Sequence, residues 1–199
     1  GGQGSVLAAR ILAQAAEAKG WQVRSAETIG MAQRGGDVMS HVRMGNAGEE
    51  VFSPLTAKGT VDVLIALEPG EAARALPYLK ENGLLVVAST GIPPVMANFK
   101  RQTYDPQHLI DDMQAAGVKM VVVDDAELVH RLGEPKALNV MMLAYAIIAV
   151  NKREDCVDNA LRGAITLEDV EAAIPLCVKR KLVSVNEKAI KVVQQVARV

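Results

Sequence analysis

The sequence predicts an α/β fold of the Rossmann-like, three-layer α/β/α type, with a mostly parallel sheet and a helical C-terminal end. Short apolar segments alternate with helical segments through the middle of the chain, which is the pattern of a sheet covered by helices on both faces. These apolar segments are continuous, as in strands that are buried on both faces. After Asp124 the sequence predicts helices and no further strand.

The first quarter of the chain begins with a helix and continues as short strands. The helix is predicted over Ser5–Lys19, where Leu7, Ile11 and Ala15 recur at four-residue spacing, and Gly20 ends it. The alternating segments that follow predict strands joined by glycine-rich turns. The strands are predicted over Trp21–Glu27 and Asp37–Met44, with Thr28–Gly36 as a loop or short helical turn and Val51–Leu55 as the hairpin partner of the second strand.

The middle of the chain contains the three apolar strands of the predicted parallel sheet, separated by helices. The strands are predicted over Val61–Leu67, Leu84–Ala88 and Val118–Val123. Glu68-Pro69-Gly70 opens a helix that runs to about Lys80, Gly83 separates that helix from the second strand, and a further helix covers Asp105–Ala116.

The C-terminal part is predicted to be helical. Leu138–Val150 is apolar on nearly all sides, so it needs burial in the domain core or against another subunit. Thr166 can cap a helix, and Asp169 stands at the spacing of a capping box. Asn186–Val199 has the pattern of a basic amphipathic helix.

Composition bounds the function. The chain has 199 residues, of which 50% are hydrophobic and 23% are charged, so we expect one domain over residues 1–199. The net charge is -1 and aromatic residues make up 3%, which argues against nucleic-acid binding. The longest apolar run, Val140–Val150, is too short to cross a bilayer, so we expect no membrane partner and a cytoplasmic protein.

The cysteines exclude one class of cofactor site. The chain contains two, Cys156 and Cys177, which are far apart and form no CxxC motif. Two thiols cannot ligate an iron–sulfur cluster or a structural zinc, so no metal site is predicted in this chain. We expect both to be buried, reduced thiols.

A glycine turn precedes the first helix. It consists of Gly1, Gly2, Gln3 and Gly4, and glycines at a helix N-terminus let the backbone approach an anion such as a phosphate. With a strand and one more glycine upstream, which we expect, the turn would complete a dinucleotide-binding pattern, and Glu27 would be its ribose-binding acid. A tight turn without a ligand is an equally good interpretation.

A second candidate segment is Gln33-Arg34-Gly35-Gly36. Arg34 offers a rigid fork of donors suited to a carboxylate or phosphate, and the glycines beside it allow a ligand to come near. A lone arginine in a turn is more often solvated, but polar side chains crowd this part of the chain. They are Gln33, Arg34, Ser40, His41 and Arg43.

Other polar residues are interpreted as structural. They include His41 within a strand, and His108 and His130, which have no acidic or cysteine neighbours at ligand spacing. Asp111-Asp112 do not face each other on a helix, and Asp124-Asp125 cap the next helix. In the apolar helix, Asn139 is expected to make a core or interface hydrogen bond, and Met141-Met142 to pack in the core or an interface.

Three segments together resemble one family. They are Gly1-Gly2-Gln3-Gly4, then Gly30-Met31-Ala32-Gln33-Arg34-Gly35-Gly36, and then Ser40-His41-Val42-Arg43. Their combination resembles the gamma subunit, or gamma domain, of the 2-oxoacid:ferredoxin oxidoreductases, in the form found in the beta subunit of indolepyruvate oxidoreductase. Gly133-Glu134-Pro135-Lys136-Ala137-Leu138-Asn139 also resembles a later segment of that family.

The resemblance implies a component of a larger enzyme. Such complexes oxidatively decarboxylate a 2-oxoacid with coenzyme A and pass electrons to ferredoxin, using thiamine diphosphate, Mg and iron–sulfur clusters. This chain lacks the Gly-Asp-Gly of a thiamine motif, because Val38 follows Gly36-Asp37, and it lacks cluster cysteines. The resemblance therefore implies partner subunits that carry these cofactors. It also implies that Gly1–Gly4 and Gln33–Gly36 face the shared cleft, with Arg34 paired to a phosphate or substrate carboxylate.

Overall fold

The computed structural model describes residues 3–30, 37–46, 48–93, 104–153, 155 and 158–197. Two sheets and seven α-helices occur within these ranges. The strands are β1 (Gln22–Ile29), β2 (Val38–Gly45), β3 (Val61–Ala66), β4 (Leu79–Ala88) and β5 (Met120–Val123). The helices are α1 (Ser5–Ala18), α2 (Pro69–Ala75), α3 (Pro106–Ala115), α4 (Asp125–Leu132), α5 (Leu138–Lys152), α6 (Leu167–Cys177) and α7 (Arg180–Val196).

The larger sheet has the order β3-β4-β5 and both pairings are parallel, as predicted. Alternate side chains of β4 enter two different cores. Leu84, Val86 and Ala88 pack with the layer formed by α1 and α4 to α7, whereas Leu85 and Val87 pack with α2 and α3. Because each face of the strand is covered by helices, the continuous apolar pattern is explained and the three-layer prediction is confirmed.

Helix α5 is the centre of the larger core. Eleven of its 15 residues are buried, including Met141 and Met142 at 0% exposure. Burial of each large apolar side chain contributes on the order of 1.5–3 kcal/mol, so this helix is the largest single source of hydrophobic stabilisation in the layer. The expectation that these methionines pack in a core is confirmed. No helix in the described ranges is long and apolar enough to cross a membrane.

The smaller sheet corrects one prediction. β2 pairs antiparallel with β1, from Gln22 opposite Gly45 to Ile29 opposite Val38, and not with Val51–Leu55. Residues 51–55 form no strand. They are fixed instead by side chains of the hairpin, since Gln22 accepts from the backbone N–H of Val51, and Arg43 donates to the carbonyl of Ser53 at 3.0 Å.

Other boundaries also differ. β4 begins at Leu79, so Gly83 lies within this strand, and the helix predicted to reach Lys80 ends as a 3-10 turn over Leu76–Tyr78. Within the described part of the predicted loop, Thr28 and Ile29 belong to β1. The bounds of helix α4 were not predicted, although a helix was expected after Asp124-Asp125, and α7 begins six residues before Asn186.

Two helix boundaries match the sequence closely. Gly20 follows α1 with a φ of 77°, in the left-handed region that glycine adopts without strain. At the start of α6 the Thr166 hydroxyl accepts from the N–H of Asp169 at 3.2 Å, and the Asp169 carboxylate accepts from the N–H of Thr166 at 2.9 Å. The predicted capping box is therefore confirmed.

Candidate functional site

The candidate site lies at the carboxyl edge of the parallel sheet. β3, β4 and β5 all end there, followed by Leu67, Ser89 and Asp124. In open α/β sheets this edge is where ligands bind, because the loops after the strands and the N-termini of the helices converge on it. The turn before α1 and the loops after β3 and β4 are held by buried or partly buried polar side chains.

The glycine turn is the first of these elements. Gly4 is the N-cap of α1 with a φ of 85°, a backbone conformation that residues with a Cβ rarely adopt. Gln3 Nε2 donates to the carbonyl of Leu67 at 2.8 Å, and Asn139 Nδ2 donates to the carbonyl of Gly4 at 3.1 Å. The turn is thus fixed between the end of β3 and the start of α5, and the hydrogen bond predicted for Asn139 is confirmed.

Gly4 also allows a close approach of two helices. A Cβ built at this position would lie 2.9 Å from Asn139 Nδ2 and 3.1 Å from its Cγ. Real Cβ atoms essentially never come this close to a packed neighbour, so a side chain here would force the Asn139 amide, or the helix that carries it, to shift. The third glycine of the predicted pattern therefore has a packing reason, independent of any ligand.

The remaining predicted site residues lie outside the described part of the chain. These are Gly1, Gly2, Gln33, Arg34, Gly35 and Gly36. The residues that border the second segment are placed by the hairpin, since the N–H of Gly30 donates to the carbonyl of Asp37 at 2.9 Å. The ligand-binding roles of the six undescribed residues remain predictions.

Asp37, at the end of the hairpin, is close enough to Arg74 of α2 to interact with it electrostatically. Arg74 in this helix forms an ion pair with Glu71 at 2.7 Å, and this hydrogen-bonded contact raises the pKa of Arg74. The negative charges of Asp37 and Glu68 raise the same pKa further. Asp37 therefore lies within electrostatic reach of a helix that begins at the carboxyl edge.

Glu68 is a buried carboxylate that the sequence analysis missed. It is 5% exposed and caps α2 by accepting from the N–H of Glu71 at 2.9 Å. It also accepts from the hydroxyl of Tyr104 and from the N–H of Ile92 at 3.4 Å. Glu68 therefore ties the end of β3 to the loop after β4. Its position before Pro69, directly after an apolar strand, was the available signal.

Asp125, at the start of α4, also holds the loop after β4. Its Oδ1 accepts from the Ser89 hydroxyl at 3.1 Å and from the N–H of Thr90 at 2.9 Å, and the residue is 5% exposed. The adjacent Asp124 accepts from the N–H of Glu127 at 3.0 Å and caps α4, as predicted for this pair. The two carboxylates have separate structural partners, which is why they do not form a catalytic pair.

Of the three histidines, His41 has structural surroundings. His41 is 6% exposed, its Nδ1 is hydrogen-bonded to the Thr56 hydroxyl at 2.7 Å, and its ring lies edge-on to Tyr78. Burial lowers the pKa of His41, so the neutral ring is favoured. His108 and His130 are exposed on α3 and α4, and His108 lies 3.5 Å from Asp112, one helical turn away. The prediction that His108 has no acidic neighbour at ligand spacing is therefore wrong.

Two further sequence predictions need correction. Glu27 does not end a strand of the parallel sheet, because it pairs with Ser40 in the separate hairpin. It is therefore not in the place where a dinucleotide fold puts its ribose-binding acid. Cys177 is half-buried and not fully buried, with its Sγ 3.8 Å from the carbonyl of Arg10, and burial raises its thiol pKa.

The residues present do not fit the redox cofactors that the family resemblance implies. The chain has two cysteines, too few for a four-thiolate cluster. Across the described ranges no three His, Cys, Asp or Glu side chains are grouped so that they could hold a metal ion. The groups at this edge that suit a ligand are the backbone N–H groups at the start of α1, which are of the kind that binds anions.

The comparisons with known proteins agree with this fold. The sequence profile of the family described as Pyruvate ferredoxin/flavodoxin oxidoreductase matches residues 1–198. The chain belongs to this family, whose relatives are subunits of 2-oxoacid oxidoreductases.

Two curated relatives and one solved structure illustrate the likeness. The indolepyruvate oxidoreductase subunit IorB of Archaeoglobus fulgidus is 33% identical over 192 residues, which cover 96% of this chain and 88% of the relative. The pyruvate/ketoisovalerate oxidoreductases common subunit gamma of Pyrococcus furiosus is 24% identical and covers 87% of this chain and 89% of its own. The crystal structure of a keto/oxoacid ferredoxin oxidoreductase gamma subunit from Geobacter sulfurreducens has a TM-score of 0.64 and 20% identity. It covers 98% of this chain and 92% of that one, which shows the same fold.

Proposed function

We propose that this chain is the gamma-type subunit of an indolepyruvate-type 2-oxoacid:ferredoxin oxidoreductase. The observation that carries the substrate class is the graded likeness to the curated relatives. The indolepyruvate subunit is 33% identical, whereas the pyruvate/ketoisovalerate subunit is 24% identical over a similar length. The Gly30–Gly36 sequence, with its Met-Ala-Gln-Arg-Gly-Gly run, supports the same choice.

The proposed complex converts a 2-oxoacid and coenzyme A to an acyl-CoA and CO2, with the electrons passed to ferredoxin. Thiamine diphosphate, Mg and the iron–sulfur clusters belong to partner subunits, because this chain lacks the residues that would hold them. We propose a cytoplasmic complex without nucleic-acid or membrane partners.

This chain contributes walls and anion-binding groups. The Gln3-Gly4 turn is fixed by Leu67 and Asn139, so its backbone N–H groups are held at the carboxyl edge. Arg34 lies in sequence between Gly30 and Asp37, and its planar cation suits a carboxylate or a phosphate of the substrates. Neither group carries electrons, so the chain is inactive by itself.

The test is reconstitution with the thiamine-bearing subunit under anaerobic conditions. The assay follows acyl-CoA formation and reduction of ferredoxin with indolepyruvate, pyruvate and a branched-chain 2-oxoacid at matched concentrations. We expect kcat/KM to be largest for indolepyruvate and turnover to require both chains. A preference for pyruvate would assign the chain to the pyruvate type instead.

Two other outcomes would contradict the proposal more fundamentally. Micromolar binding of NAD(H) or NADP(H) by the isolated chain, followed by nicotinamide fluorescence, would identify a stand-alone dinucleotide-binding protein. The placement of Glu27 in the hairpin argues against that outcome. Unchanged activity of the reconstituted complex after Arg34→Ala would identify a subunit that serves assembly alone.

A further inference from the structure

Asn139 is a buried amide in the first turn of the apolar helix α5. It is 1% exposed, and its Nδ2 donates to the carbonyl of Gly4, 135 residues earlier in the chain. Its Oδ1 is also buried and has no hydrogen-bond partner among the described residues. The side chain thus makes one directed hydrogen bond and leaves its second polar atom unsatisfied.

An unsatisfied buried acceptor is costly, and an apolar side chain of similar size would avoid the cost. The neighbouring Val140 is fully buried in the same core without this penalty. The hydrogen bond from Nδ2 to the Gly4 carbonyl therefore explains why an amide stands at position 139.

The Gly4 carbonyl that Nδ2 holds also accepts the first helical hydrogen bonds of α1, from the N–H groups of Leu7 and Ala8. Helix α1 has Gly4 as its N-cap and no side-chain hydrogen bond at this end. Asn139 holds the Gly4 carbonyl from a different layer, and Gln3 holds the carbonyl of Leu67 on the other side. These two contacts determine the orientation of the first N–H groups of α1.

We propose that Asn139 is a positioning residue that acts through Gly4. It keeps the Gln3-Gly4 turn in the conformation that binds an anionic group of a substrate, and this role rests on the proposed function. The start of α5 and the glycine turn are thereby coupled, so a change at Asn139 alters substrate binding without contact to the substrate.

The test compares Asn139→Asp and Asn139→Ala with Val140→Ala in the reconstituted complex. Asn139→Asp keeps the shape but removes the donor facing the Gly4 carbonyl, whereas Val140→Ala weakens the same helix without touching the turn. We expect both Asn139 variants to raise KM for the 2-oxoacid or coenzyme A roughly tenfold, with a smaller change in kcat. Val140→Ala should lower the melting temperature and leave KM for the 2-oxoacid and KM for coenzyme A unchanged.

Hydrogen exchange of the full-length chain gives a readout that does not depend on turnover. The amides of Ser5–Ala8 should exchange at least about tenfold faster in Asn139→Asp than in the wild type, and Val140→Ala should not reproduce this. Equal KM values and equal exchange in the Asn139 and Val140 variants would overturn the inference and leave the proposed function standing. A wild-type complex that turns over no 2-oxoacid would overturn the proposed function instead.

Discussion

Lys19 Nζ lies 3.0 Å from the Asp169 carboxylate, and this ion pair joins the end of α1 to the start of α6. The same carboxylate accepts from the N–H of Thr166 in the capping box. Burial alone would raise the pKa of Asp169, but the hydrogen bond from Thr166 and the charge of Lys19 outweigh it, so the pKa is lowered. One side chain thus stabilises a helix end and a contact between two helices.

Asp169→Asn should lower the free energy of unfolding by about 1–2 kcal/mol at neutral pH, because it removes the charge from both contacts. A carboxyl whose pKa is lowered by folding stabilises the protein above its ordinary pKa of about 3.9, and this contribution is lost as pH falls through the lowered value. Urea unfolding at pH 7 and below pH 3 measures both effects.

The control for this prediction is Glu168→Gln, at an exposed neighbour in the same helical turn, which should cost only a few tenths of a kcal/mol. An equal cost in both variants would contradict the dual role of Asp169 in the cap and the ion pair.

His41 should make stability depend on pH near neutrality. Because burial lowers its pKa, the folded protein binds the proton less well than the unfolded chain does. Stability is therefore full above the ordinary pKa of about 6.5 and decreases as pH falls toward the lowered value. His41→Gln should flatten the melting temperature between pH 7 and pH 5. His130→Gln, on an exposed helix surface, should leave the profile unchanged, and a flattened profile in this control would shift the assignment away from His41.

Gly4→Ala and Gly20→Ala separate backbone strain from packing. Both glycines have φ in the left-handed region, at 85° and 77°, so each substitution should cost about 1–2 kcal/mol in strain. A Cβ at Gly4 also meets Asn139 at 2.9 Å, whereas at Gly20 it meets nothing within 4 Å. We expect Gly4→Ala to cost at least about 1 kcal/mol more in chemical unfolding. Equal costs would show that the α1–α5 contact relaxes without penalty.

Arg34→Ala should reduce the activity of the reconstituted complex while the subunits still assemble. Loss of one charge-assisted contact costs roughly 1.5–3 kcal/mol, or about tenfold to a hundredfold in rate. Steady-state assays and size-exclusion chromatography on the same preparation separate activity from assembly. Arg131→Ala is the matched control, because Arg131 is exposed and pairs with Glu127 on α4; the two variants should differ in rate by at least tenfold.

The parallel sheet could be predicted because its strands are buried on both faces. Continuous apolar runs such as Leu84–Ala88 have few other stable environments in a chain of this composition. The capping box at Thr166 and Asp169 was predictable for a similar reason, since it is a local interaction between residues three apart. The capping box depends on residues three apart in sequence, and the apolar strands need only some apolar layer on each face, whichever helices supply it.

The pairing of β2 could not be predicted from its alternation. A two-residue period states that a strand has two different faces, but it does not state which neighbour hydrogen-bonds to its edge. Residues 51–55 also follow β2 closely, yet they are held by the side chains of Gln22 and Arg43 and not by a ladder. Such side-chain to backbone contacts leave no periodic signal.

The buried carboxylates at the carboxyl edge were missed for a related reason. Glu68 and Asp125 stand at helix starts, where acidic residues are common and usually exposed. Their burial depends on donors that are distant in sequence, such as Tyr104 for Glu68 and Thr90 for Asp125. Asn139, by contrast, stood out as a polar residue in an apolar helix, and its hydrogen bond was predictable although its partner was not.

The use of both faces of β4 restricts how this protein can change in length. A deletion of one residue between Leu84 and Ala88 would exchange the side chains that enter the two helical layers, and both would be mispacked at once. At the amino end the pairing with β3 already shifts between Val61 and Val63, so an irregularity is accommodated there. Natural insertions and deletions in related chains should therefore cluster before Leu84, and insertional mutagenesis of this strand should tolerate added residues on that side alone.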